Sequence, residues 1–90
     1  MQQIQISEEA LPLLKSSIDF QKKLFNKKIE SYLNRLKAFE KKHGMVSSKF
    51  YEEFEKGTLG DDPEWYDWLF VLEAYNKMIQ KKLALDELAL

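Results

Sequence analysis

Few residues in this 90-residue chain could carry covalent or proton-transfer chemistry. His43 is the single histidine and cysteine is absent, so thiolate nucleophiles, disulfides and Cys-based zinc sites are excluded. No second histidine is available for a zinc triad, and His43 falls where a helix C-terminus is expected, a position that suits a capping or surface imidazole. Asp61, Asp62 and Glu64 form the one dense carboxylate cluster. Oxygen ligands of this kind could hold a divalent ion, but the spacing is not that of an EF-hand loop. An N-cap followed by an acidic first turn accounts for the same residues. Gly57-Thr58-Leu59-Gly60 has no strand before it and no Gly-Lys-Ser/Thr after it, so it is not a phosphate loop. The serines fall at caps or on helix surfaces, and no nucleophile–base pair can be named. The chain therefore reads as a non-enzyme with no cofactor and no bound metal.

The elements that would position these residues are helical. Hydrophobic residues make up 44% of the chain and aromatic residues 13%, with three glycines and two prolines, a composition for a folded domain with few loops. A chain this short buries only about two thirds of its unfolded surface. The spacing predicts a first long helix from about Ile18 to His43, capped by Ser17 and ended by Gly44. Its apolar residues Ile18, Phe25, Ile29, Tyr32, Leu36 and Phe39 form a heptad-like stripe broken by Lys22. A short helix from about Ser48 to Lys56 follows, capped by Ser47 or Ser48, with Val46 stapled to Tyr51 if Ser47 is the cap. Asp62, Pro63 and Glu64 then start a helix in which Trp65, Trp68, Leu72, Tyr75 and Ile79 recur every three or four residues, running to about Glu87.

The expected fold class is all-α: an antiparallel hairpin of two long helices joined by a short helix, over residues 18–90. Residues 1–17 read as an N-terminal arm, strand-like over 2–6 and a short helix or turn over 8–16, because Pro12 lies five residues after a possible start at Ser7. The longest apolar run is Trp68 to Leu72, far short of a membrane span, and the N-terminus has no signal-peptide pattern. A cytoplasmic protein without a membrane partner is expected.

The net charge of −1 hides a strong asymmetry. Residues 15–43 carry nine Lys/Arg against three acids, while residues 44–76 carry two lysines against eight acids, giving +6 and −6. Three readings compete: solvated faces whose opposite charges neighbour each other across the hairpin, an acidic surface that meets a basic partner, or a basic helix on nucleic acid. The last is disfavoured because the aromatic rings cluster in the acidic half. The N-terminal alternation Gln3-Ile4-Gln5-Ile6 faintly resembles a ribbon-helix-helix arm, with no basic residue before Lys15.

Eight of the twelve aromatic residues lie between positions 50 and 75, and the third helix carries Tyr66, Phe70, Val71 and Ala74 off its main stripe. A helix apolar on two sides is covered on two sides. The cover could come from the short helix and the arm, from a second copy, or from another protein. Phe50, Phe54, Trp65, Tyr66, Trp68 and Phe70 are the expected partner-binding residues. Phe25, Ile29, Tyr32, Leu36, Phe39, Leu72 and Ile79 are the expected homodimer stripe.

The stretch from His43 to Trp68, HGMVSSKFYEEFEKGTLGDDPEWYDW, resembles a signature of small helical prokaryotic proteins that act as antitoxins, the neutralising partners in two-gene toxin–antitoxin pairs. The matching positions are Gly44, Met45, Phe50, Phe54, Gly57, Leu59, Gly60, Asp61 and Trp68, about a third of the chain, with Val46 and Lys49 departing from the Ser and Glu expected there. The resemblance implies capture of a basic, toxin-like protein.

Overall fold

The computed structural model describes residues 7–88, which form three helices and no strand. Helix α1 spans Ala10–His43, α2 spans Ser47–Lys56 and α3 spans Pro63–Asp86. At 1.5 Å per residue, α1 is roughly 51 Å long and α3 roughly 36 Å. The expected helical hairpin is therefore present, with unequal arms. No described helix is long and apolar enough to cross a membrane.

The first helix starts earlier than its periodicity suggested. Ser17 does not cap it but sits exposed within it, and of the short helix or turn expected over 8–16, residues 8–9 are a turn and the rest, from Ala10, is continuous with α1. Pro12 is the third helical residue. The first four N–H groups of a helix have no intrahelical acceptor, so proline there forfeits no hydrogen bond. Ser7 organises the start: its Oγ accepts the Ala10 N–H at 3.1 Å, and its carbonyl accepts the N–H groups of Ala10 and Leu11. The strand-like reading of 2–6 lies outside the described residues.

The stripe of α1 continues at both ends. Leu11, Leu14, Ile18, Lys22, Phe25, Ile29, Tyr32, Leu36, Phe39 and His43 are all buried or half-buried, three or four residues apart. Two ion pairs mark the antiparallel register. Lys42 meets Glu64 at 2.7 Å at the closed end, and Lys22 meets Asp86 at 3.5 Å near the open end. Lys22, which broke the apolar stripe, is thus one of the two lysines of α1 that pair across the hairpin.

Helix α3 turns a different line inward than expected. Glu64, Trp68, Val71, Tyr75, Met78, Lys82 and Leu85 are its seam, and Trp68 and Val71 are fully buried. Val71, placed off the stripe by sequence spacing, belongs to the core. The residues Trp65 and Leu72 flank this seam and pack with it. The core is small: Leu36, Phe50, Trp68 and Val71 are buried, surrounded by half-buried Tyr32, Phe39, Met45, Phe54, Leu59, Trp65, Leu69, Leu72 and Tyr75. All of it lies at the closed end.

Candidate interaction surface

The resembling signature builds the closed end, and most of its positions have a physical task there. Gly44 ends α1 at φ 65°, with its N–H on the Glu40 carbonyl at 2.9 Å. Val46, not Ser47 or Ser48, is the N-cap of α2 and has no side-chain cap hydrogen bond. Glu40 substitutes for it: its Oε2 accepts the Ser47 N–H at 2.7 Å, so a carboxylate from α1 serves the start of α2. With Val46 as cap, the staple positions become Met45 and Phe50, both in the core cluster, while Val46 is 59% exposed. Gly57 at φ 72° closes α2 in a Schellman pattern, with the Thr58 N–H on Glu53 and the Gly57 N–H on Phe54. The Thr58 hydroxyl also bonds the Glu53 carboxylate, which chiefly for that reason titrates below the ordinary range. Asp62 caps α3 as expected, its Oδ1 accepting the Glu64 N–H at 2.9 Å.

An aromatic stack fills the space these turns enclose. Phe50 lies parallel to Trp68 at 4.0 Å between centroids, and Phe39 stacks on Trp68 at 5.6 Å. The indole N–H of Trp68 donates to Ser47 Oγ at 3.1 Å, and that of Trp65 to the Leu59 carbonyl at 3.2 Å. His43 joins the stack, 4.5 Å from Trp65 and 5.5 Å from Trp68. Its Nε2 lies 3.3 Å from Glu64 Oε1 yet makes no hydrogen bond. The histidine is a packing residue of the core edge; its place four residues after Phe39 was the sequence signal. Lys42, hydrogen-bonded to Glu64, holds that carboxyl below the usual range, and His43 acts in the same direction.

Burial divides the expected partner-binding residues. Phe50 and Trp68 are 0% exposed and serve the monomer core, so they are not available to a partner. Phe54 and Trp65 are half-buried, each packed against that core. Tyr66 and Phe70 are 65% and 66% exposed. The chain itself therefore hides one of the two apolar sides of α3, through α1 and α2, and leaves the other open. The dimer stripe is corrected likewise. Leu36 is buried and Tyr32 and Phe39 pack on the core, so these three lie in the seam inside one hairpin, and Leu72 packs on the core at its flank. Phe25, Ile29 and Ile79, farther toward the open end, are half-buried.

The exposed face of α3 presents Tyr66, Phe70, Glu73 and Lys77 along one line. The Tyr66 ring is braced edge-on by Phe54 at 5.8 Å. Beside α2, an open groove of about 680 Å³ is lined by Ser48, Tyr51, Leu72, Glu73, Asn76 and Lys77. Glu55, close to the Tyr51 hydroxyl, pushes its proton loss above the ordinary range, and Glu73 adds to this. Among the described residues, no cation lies within ion-pair distance of Glu55, Asp67 or Glu73. No three His, Cys, Asp or Glu side chains of the described residues are grouped to hold a metal.

The charge asymmetry is not spent inside the hairpin. Of the nine cations of residues 15–43, only Lys22 and Lys42 reach an acid of α3. The remaining acid–lysine pairs, Lys49–Glu53 and Lys56–Glu52, are local to α2. No family profile, curated protein or solved structure matches the chain.

Proposed function

We propose that the chain is a non-enzymatic protein-interaction module that captures a basic partner on the outer face of α2 and α3, in the manner of an antitoxin neutralising its toxin. The observation that carries this reading is the pair Tyr66 and Phe70. These are two large exposed aromatics one turn apart, flanked by Asp67 and Glu73, which have no cation of their own. Aromatic anchors supply binding energy, and unpaired carboxylates steer a basic partner and select it. The matched motif supports the fold of the closed end more than the activity, because most of its positions close the hairpin. Homodimerisation stays part of the proposal, but through surface other than the closed-end seam. Nucleic-acid binding, structural dimerisation alone and a cytoplasmic setting are the alternatives and context that the reading carries, and no contact in the structure favours the first two over partner capture.

The test is co-purification of the tagged chain with the product of the reading frame adjacent to its gene, compared with a Tyr66→Ala/Phe70→Ala variant. Wild type is expected to retain the basic protein and the variant to lose it, with far-ultraviolet dichroism and thermal midpoint unchanged. Equal capture by a folded variant overturns the proposed surface, and no capture by wild type overturns the proposed partner.

A further inference from the structure

The cations of α1 between Lys27 and Lys42 follow a pattern. Lys28, Arg35 and Lys42 recur every seven residues, and so do Lys27, Asn34 and Lys41. Seven residues are nearly two helical turns, so each set is a row with steps of about 10.5 Å, and the two rows stand about 100° apart on the helix. Ser31 and Ala38, again seven apart, occupy the strip between them. All eight residues are exposed. Over roughly 22 Å of helix, this face carries five cations, no acid and no bulky apolar side chain. Glu30 lies at its margin together with Lys37.

The fold uses little of this charge. Lys42 is paired with Glu64. Among the described residues, no carboxylate comes within ion-pair distance of Lys27, Lys28, Arg35 or Lys41. The side of α1 that packs in the hairpin is the seam of Tyr32, Leu36 and Phe39. The acids of α3 stand beyond that seam. Packed helix axes are about 8–10 Å apart, and physiological salt screens exposed charges over about 8 Å. The acidic half of the chain therefore does little to cancel the field in front of the two rows, and the net charge of −1 is no guide to it.

We propose that this face docks double-stranded nucleic acid through its phosphates, without reading the bases. Rows of unpaired cations complement a polyanion that carries one charge about every 1.7 Å. Lysine, arginine, serine and asparagine are among the side chains that meet phosphate oxygens. A straight helical track with fixed steps suits a stiff duplex. Single strands are held by stacking on aromatic rings, and no ring stands between the rows. The clustering of rings in the acidic half thus counts against a single strand and not against a duplex. A helix lying in a membrane surface buries large apolar side chains, and between Phe20 and Val46 none is exposed. An acidic protein needs anchors of the same kind, which this face lacks. The face is separate from Tyr66 and Phe70, so it does not depend on partner capture.

Fluorescence anisotropy of a short labelled DNA duplex, titrated with the full chain, tests the face. Saturable binding is expected at about 50 mM salt, equal for two unrelated sequences, and weaker by roughly 100-fold at about 200 mM, the loss that about four phosphate contacts produce. Lys28→Glu/Arg35→Glu is expected to abolish binding, with helicity by far-ultraviolet dichroism unchanged. Lys28→Gln/Arg35→Gln is expected to weaken it and to halve the salt dependence. Lys49→Glu/Lys81→Glu makes the same change of net charge on α2 and α3, at exposed positions, and is expected to bind nearly as wild type. Absence of binding at the lower salt, equal losses in the two charge-reversal pairs, or tighter binding of a single strand of the same length overturns the proposal. So does binding to phosphatidylserine vesicles without binding to duplex. A chain that binds duplex yet captures no basic protein removes the proposed function and leaves this face standing; the reverse result removes this face alone.

Discussion

Trp68 and Phe70 stand two residues apart and carry opposite burdens. Trp68 touches Phe39, Phe50 and His43 and spends its indole N–H on Ser47, so Trp68→Ala is expected to cost roughly 3–5 kcal/mol of stability. Phe70→Ala, at an exposed site, is expected to shift stability by no more than about 0.5 kcal/mol. Denaturant titrations of the two variants measure the contrast. Ser47→Ala strands a buried indole donor and is expected to cost about 1–3 kcal/mol in the same assay.

Glu64 gives the closed end an acid sensitivity. Its folded carboxyl ionises below its unfolded value because Lys42 holds the charged form. A group lowered in this way stabilises the fold above the unfolded carboxylate value of about 4.3, and the contribution is lost as pH falls through the folded value. Glu64→Gln is therefore expected to lower the thermal midpoint at neutral pH, with the gap from wild type closing at pH below about 4. A constant gap down to pH 2 would show that the pairing carries no net free energy. His43, whose Nε2 is buried without a hydrogen bond, is expected to tolerate His43→Phe within about 1 kcal/mol, because an apolar ring removes an unsatisfied atom and keeps the stack.

At the scale of the elements, α2 depends on its neighbours. Its N-cap residue supplies no side-chain acceptor, and Glu40 of α1 fills that gap from seven residues upstream of Ser47. Glu40→Ala is expected to cost about 1 kcal/mol and to loosen α2 before α1 and α3, read by earlier hydrogen exchange of residues 47–56. Gly44→Ala meets no neighbouring atom, so its expected cost of about 1–2 kcal/mol comes from the left-handed backbone alone. The existence of all three helices was legible in their periodicity, and so were both glycine stops and the Asp62–Pro63 start. The start of α1 was not. Proline was judged by its distance from Ser7, whereas its cost depends on its place relative to the first helical residue, which the hydrogen bonds at Ser7 set at Ala10.

Over the whole molecule, stability is polarised along the long axis. The aromatic stack and the turns that hold it occupy one end of a body 57 Å long. Amide exchange is expected to be slowest around Leu36 and Trp68 to Tyr75 and fastest at residues 10–20 and 80–88. Uniform protection along α1 would contradict a core confined to one end.

The amino-acid order by itself determined the helices, their stops, the hairpin and the segregation of charge, since these depend on local spacing and on residue type. Which ring became core and which stayed outside was decided only by tertiary packing. Trp68 and Phe70 differ by 200° around α3, yet both are large and apolar, and periodicity cannot tell which direction finds a neighbour. The docking of α2 settled that by laying Phe50 on Trp68 and beside Trp65. Only the fold, too, could reveal that the opposite charges of the chain mostly fail to meet, because pairing needs contact within a few ångströms and the two faces point apart.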